Sequence, residues 1–351
     1  MLKLTQREQE ILLIFIKNNK LQSSEVRSEM LKTGNSVALV TVKRTLSKMA
    51  KNGFLSVSGA GRSVSYAVSA LGRLATQVDA KEYCSVEPDK RYGLSGYNFE
   101  LFPFFPKEIF SDTELGVLTT ATKEYKQKLK HSTVYIRKKE LERLIIELSW
   151  KSSKIEGNTY TLLDTEKLIL GNKKAAGHDE KETRMILNHK DAFKFIYEHP
   201  SFFKELTRKN LEELHKILIK RLGVNPGFRK AGVGVVGSKY RPPDNIYQIE
   251  EAIESLIKAV SRMKTAYAKA LVALLGVSYI QPFEDGNKRT SRLIANAVLF
   301  AHNLAPLSYR SVDENDYREA TLVFYEINSL APFKKIFIEQ YNFAARHYLV
   351  G

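Results

Sequence analysis

From Ala266 the chain runs through AYAKALVALLGVSYI with Lys269 as its only charge, then sets QPFEDGNK, then restarts as RTSRLIANAVLFAHN. The spacing predicts two helices joined by a turn over residues 281–287. A turn that opens a helix presents backbone N–H groups at the positive end of the helix dipole, which makes an anion site. Gly286 brings the backbone close to such an anion without a Cβ in the way. Arg289 and Arg292 are three apart, so they share a face of the first helical turns, and each guanidinium can fork onto phosphate oxygens. Asp285 would repel an anion unless a cation sits between them. That pattern implies Mg²⁺ held by one carboxylate and the ligand's phosphates, a magnesium–nucleotide site.

The remaining composition bounds the answer. The chain has 351 residues, enough for two ordinary domains, and 43% of them are hydrophobic. There is no stretch of 18 apolar residues and no signal-peptide pattern in MLKLTQREQEILL, so no membrane partner is expected. Cys84 is the single cysteine, which excludes an internal disulfide and makes a cytoplasmic location the expectation. A formal net charge of +16 favours an anionic partner: nucleic acid, nucleotide or an acidic protein surface.

Residues 1–78 read as three helices and a hairpin. Thr5 and Glu8 form a capping box ahead of the first helix, and Ser23 or Ser24 would cap the second. VALVTVKRTLSKMAKNGFL reads as the third helix, ended near Gly53. LSVSGAGRSVSYAVS alternates around Gly59 and Gly61, a hairpin signal. This is the order of a winged helix-turn-helix, and the segment resembles winged-helix DNA-binding modules of bacterial regulators. Residues 1–80 hold 12 Lys plus Arg against 5 Asp plus Glu, a net +7. Thr41, Lys43, Arg44, Ser47 and Lys48 fall on polar positions of the third helix, suited to phosphates and base edges in a major groove, with Arg62 at the tip of the wing. Such modules often pair on two half-sites, so a homodimer is open.

Residues 79–110, broken by Pro88, Gly93, Gly96, Pro103 and Pro106, are expected as a connector whose FELFPFF run packs on the body. From Ser111 the apolar spacing is helical. FRKAGVGVVGSKYRPP reads as a short hairpin or flap, and helices then resume. The expected fold is therefore mainly α: an α+β winged helix, then an all-α body over 111–345 with a small β-hairpin flap.

The turn resembles the signature of the Fic (Fic/Doc) family, His-Pro-Phe-x-Asp/Glu-Gly-Asn-Gly/Lys-Arg-x-x-Arg. Pro282, Phe283, Asp285, Gly286, Asn287, Lys288, Arg289 and Arg292 match it, and Gln281 stands at the histidine position. The resemblance covers about residues 110–345, including the Pro226–Arg229 turn. It implies transfer of AMP from Mg-ATP to a Ser, Thr or Tyr hydroxyl of a target protein. It assigns Asp285 to the metal and Gly286, Asn287 and Lys288 to the anion-holding loop. Arg289 and Arg292 would grip the phosphates, and Phe283 would anchor the loop. A flap around Val233, Val235, Gly237 and Ser238 would hold the target as an added strand.

Ser152, Glu156 and Gly157, in a helix around 149–157, match the family's inhibitory motif, which pairs Glu156 with Arg292 in place of a terminal phosphate. Gln281 departs from the pattern where it matters most: an amide orients a hydroxyl but does not take its proton, and loss of a general base costs about 10²–10⁴-fold. His302 lies 15 residues past Asn287, roughly 22 Å along a helix, too far to substitute. Three accounts of Gln281 stay open: a silent nucleotide-binding fold, slow transfer, or an engineered change. Lys288 resembles Doc-type members that move a phosphoryl group instead. A nucleotide-sensing DNA-binding regulator without catalysis, a phosphotransferase and an AMP-removing enzyme are the alternatives.

Overall fold

Helix α1 (Gln6–Asn18) starts where its cap dictates: the Thr5 hydroxyl accepts the Glu8 N–H at 3.3 Å while the Glu8 carboxylate accepts the Thr5 N–H at 2.8 Å. In the computed structural model, which describes residues 4–348, a two-residue strand β1 (Lys20–Leu21) and α2 (Ser23–Lys32) follow. The cap of α2 is Gln22, whose N–H donates to Glu25 at 2.6 Å, not Ser23 or Ser24. Then come α3 (Leu39–Lys51), β2 (Leu55–Ser58) and β3 (Ser65–Val68). The strands form one antiparallel sheet in the order β1-β3-β2, with Leu55 opposite Val68 and Lys20 opposite Ala67. β1 is too short to show as a periodicity in the sequence; its pairing with β3 is what defines it. Ile11, Leu12 and Phe15 of α1, Val26 and Met30 of α2, and Val42, Leu46 and Met49 of α3 close a dry core with Phe54 and Leu55. This is the three-helix and wing arrangement the sequence implies.

The compact unit holding this module runs to Pro106 and takes in Gly234–Arg241 and Arg318–Lys334. It adds α4 (Ala70–Ala75) and α5 (Ala80–Cys84). Tyr83 packs with Ile16, Val323 and Ile327 in a second small core, and Leu101, Phe102 and Phe105 of the FELFPFF run are buried while Phe104 is exposed. Its spatial grouping thus crosses the sequence boundaries set at 78 and 110.

The second unit is helical throughout: α6 (Asp112–His131), α7 (Val134–Ile155), α8 (Leu162–Gly171), α9 (Glu180–Glu198), α10 (Arg208–Leu218), α11 (Ile246–Arg262), α12 (Ala266–Ile280) and α13 (Asn287–Ala301). Helices α14 (Glu314–Ile327) and α15 (Ala331–His347) end the chain. Ser111 caps α6 through Glu114, as its position at the start of the helical pattern requires. Nearly every side chain of α12 is buried, which is why its sequence is apolar on all faces rather than along one stripe. Helices α7, α9 and α10 pack around α13.

The expected β-hairpin flap is absent: among the described residues, 229–240 form no strand, and the segment turns at Val236–Gly237 with the Ser238 N–H donating to the Val235 carbonyl. Glycines and a proline-flanked exit leave this segment with few side chains to pack, so extended pairing needs a partner strand from elsewhere.

Candidate nucleotide site

The loop that opens α13 is held from three sides. Gln281 ends α12 in the left-handed region (φ 50°), and its side-chain amide donates to the Ser278 carbonyl at 2.6 Å. Phe283 is fully buried and stacks on the His215 ring, centroids 3.7 Å apart. The Asn287 side chain closes the turn from both directions, accepting the Phe283 N–H and donating to the Phe283 carbonyl, each at 2.8 Å. Gly286 takes φ 79°, with ordinary clearance around a Cβ built there. Its requirement is conformational, since an L side chain is strained at that φ. Arg229, 2% exposed, ties the neighbouring loop down: it donates to the carbonyls of Gln281, Ala231 and Pro243 at 2.7, 2.6 and 2.7 Å. Sequence reading placed Arg229 in a turn and missed this role, which only its long-range partners reveal.

Two arginines face the same region from α13. Arg289 is held by Asp285 at 3.3 Å. Arg292, with a fully buried side chain, donates to the Ser152 hydroxyl and carbonyl at 2.9 Å each and to Glu156 at 2.8 Å. Lys288 stands 3.6 Å from the other oxygen of Glu156. Glu156 can reach them because α7 stops at Ile155 and Gly157 turns the chain at φ 92°. Burial opposes the charge of Glu156, but Arg292 and then Lys288 outweigh it and hold the carboxyl below its usual range. Burial likewise opposes the Arg292 cation, and Glu156 more than restores it. Arg289 is lowered, mainly by burial.

Among the described residues, Arg289 Nη1 and Arg292 Nη1 are buried without a hydrogen-bond partner in the protein. Buried guanidinium donors cost free energy when unpaired, so these two on the first turns of α13 suit an anion with several acceptors. A carboxylate already occupies one acceptor position, at Arg292. Asp285 is half exposed, and its Oδ1 also accepts the Gly286 N–H at 2.5 Å. No group of three His, Cys, Asp or Glu side chains lies together among the described residues. One half-exposed carboxylate would suit a magnesium ion that takes its other oxygens from phosphate and water.

Among the described residues, His302, His189 and His215 do not stand in at Gln281. His302 caps the far end of α13. His189, which the sequence left unplaced, is fully buried on α9 and pushed well below its usual pKa by burial, then by Arg292 and Arg289. His215 Nε2 lies 2.9 Å from the Asp285 carbonyl, and burial lowers its pKa to about 4. A base whose folded pKa is depressed contributes fully above its unfolded value and is lost as pH falls from about 6.5 toward 4. Denaturant unfolding should therefore show about 2 kcal/mol less stability at pH 5 than at pH 7 from this group, and His215→Asn should flatten that slope. An unchanged slope would remove the buried neutral imidazole from the account.

In the winged helix, Lys43, Arg44, Ser47 and Lys48 are exposed on α3, Thr41 is half-buried and Arg62 is exposed in the wing. Lys48 also bridges to the buried Glu8 of α1 at 3.0 Å, so part of its charge is spent inside the module.

Residues 205–299 match the Fic/DOC family and residues 4–87 match the penicillinase repressor family. A curated relative, protein adenylyltransferase Fic of Nematostella vectensis, is 26% identical over 186 residues, 52% of this chain and 44% of the relative. One from Drosophila ananassae is 30% identical over 156 residues, 44% of this chain and 31% of the relative. The chain thus spans less than half the length of these relatives. A Fic family protein from Desulfovibrio desulfuricans G20 superposes with a TM-score of 0.56 at 20% identity, over 70% of this chain and 76% of its own. A Fic domain containing signaling protein from Bacteroides thetaiotaomicron gives 0.54 at 18%, over 67% and 99%. At such identities the superpositions show the fold. Among the described residues no helix is long and apolar enough to cross a membrane.

Proposed function

For a chain that carries a Fic/DOC domain beside a winged-helix, repressor-like module, we propose a self-inhibited Mg-ATP-binding protein. Its AMP transfer to protein Ser, Thr or Tyr hydroxyls is weakened or lost at Gln281. The observation that carries this is the Glu156 carboxylate seated on Arg292 and Lys288 where phosphate oxygens would sit. Arg289, Arg292 and the amides at the start of α13 hold the phosphate chain. Asp285 would hold magnesium, which would neutralise phosphate charge when bound. The target hydroxyl oxygen bonds to the α-phosphorus as the bond to the β-phosphate breaks, releasing pyrophosphate. The hydroxyl proton must leave, and Gln281, a neutral amide bonded to Ser278, does not accept it. Calorimetry on the Glu156→Gly chain tests the reading directly: uptake of ATP with magnesium is expected, and no heat with any nucleotide would end it. Label on the α- or γ-phosphate of ATP separates AMP transfer from phosphoryl transfer.

A second reading, a nucleotide-responsive DNA-binding regulator, draws on the exposed basic residues of α3 and the missing base. Gel-shifts on duplex DNA should weaken linearly with log salt, and Lys43→Ala or Arg44→Ala should each lower the slope by about one. Binding that is absent or indifferent to salt would exclude it.

A further inference from the structure

The compact unit that carries the winged helix also holds residues 234–241, and it holds them through a buried charge pair. Glu326 of α14 has a fully buried side chain, and Arg91 beside it is 6% exposed, 3.3 Å away. Glu326 accepts the Tyr83 hydroxyl at 2.7 Å and the Ser238 hydroxyl at 2.6 Å. Arg91 donates to the carbonyls of Gly237 at 3.0 Å, Val86 at 2.8 Å and Cys84 at 3.2 Å, and Lys239 returns a bond to the Arg91 carbonyl. The Arg241 N–H donates to the Ser95 carbonyl at 2.9 Å. Gly93 (φ 105°) lets the chain pass the Glu326 carbonyl, where a Cβ would lie only 2.4 Å away.

A buried ion pair contributes little net stability over apolar packing, but losing one partner strands a charge, so it specifies an arrangement. Here it fixes one limb of a segment whose one recorded β-bridge, among the described residues, is the parallel pairing of Arg241 with Gly96, while Val236 at the turn is 98% exposed. We propose that Arg91 and Glu326 are positioning residues for the target-docking segment, so that residues 83–98 set how 233–238 is presented to an extended peptide. This rests on the reading, implied by the family resemblance, of that segment as the docking flap of the proposed AMP-transfer site. Through it, the region following the winged helix acts on target engagement.

Hydrogen exchange on the full chain tests the clamp. In Glu326→Gln, amides of 234–241 should exchange about tenfold faster, as loss of a charge-assisted bond implies, while those of 266–280 keep their rates. Arg91→Lys keeps the pairing with Glu326 but not the fork to three carbonyls, and should fall between. If Glu326→Gln fails to fold, Ser238→Ala removes the bond to Glu326 and the one its hydroxyl accepts from the Tyr240 N–H at 3.1 Å, and should loosen the same amides about threefold. Rates over 234–241 that match the unmodified chain in the folded variants would overturn the proposal. Calorimetry with ATP on the same variants in the Glu156→Gly chain keeps the two ideas apart. Loosened exchange without nucleotide uptake retains the clamp and removes the nucleotide reading. Uptake with unchanged exchange does the reverse.

Discussion

Gln281→His in the Glu156→Gly chain is expected to raise AMP labelling by about 10²–10⁴-fold over Glu156→Gly alone, the range a positioned general base supplies. The loop needs no rebuilding for this. Phe283 and Asn287 hold the turn independently of residue 281, and Arg229 binds the backbone carbonyl of Gln281, not its side chain. The substitution costs the bond from the Gln281 amide to Ser278. The measurement is label from α-labelled ATP retained on protein, with nucleotide affinity recorded beside it. Raised labelling at constant affinity identifies the missing base as the block. If affinity is present and labelling stays flat in the double variant, proton removal is not what Gln281 withholds, and the regulator reading gains.

Glu156→Gly alone should lower stability by about 3 kcal/mol, because Arg292 keeps its full burial and loses its counter-charge. The two bonds to Ser152 remain and limit the loss. ATP should then restore part of it: at 100 times its dissociation constant a ligand that binds only the folded state contributes about 2.7 kcal/mol. The unmodified chain should gain far less at the same concentration, since nucleotide must first displace the carboxylate. Thermal or denaturant unfolding with and without Mg-ATP reads this. Equal stabilisation of both chains would mean that Glu156 does not compete with phosphate. Because Arg292 and Lys288 hold the Glu156 carboxyl below its usual range, the contact is complete above the ordinary carboxylate pKa and lost only on acidification below it. The difference between the two chains should accordingly be flat from pH 6 to 8.

Much of this was legible in residues alone. The capping box of α1, the stop at Gly53 and the hairpin of the wing follow from short-range chemistry, as do the helix start at Asn287 and the pairing of Glu156 with Arg292 implied by the two family motifs. The misreadings share a cause. Ser23 and Ser24 have the right chemistry for a cap, but the chain enters α2 one residue earlier, through Gln22. The glycines of 229–240 with valines between them read as a hairpin, yet strands exist only where two segments pair, and pairing is not a local property. The part Asn287 plays in closing the turn, through both backbone groups of Phe283, is visible only in the folded loop.

By itself the sequence determined the capping box of α1, the stop at Gly53 and the start of α13 at Asn287, because backbone conformation, apolar period and capping chemistry are set within a few residues. What only the tertiary structure decided are the pairings across long separations: Lys288 on Glu156, Arg229 on Gln281, and Arg91 with Glu326 around Ser238. A buried charge is tolerated only where a partner meets it, and which partner that is depends on the packing of helices that lie far apart along the chain.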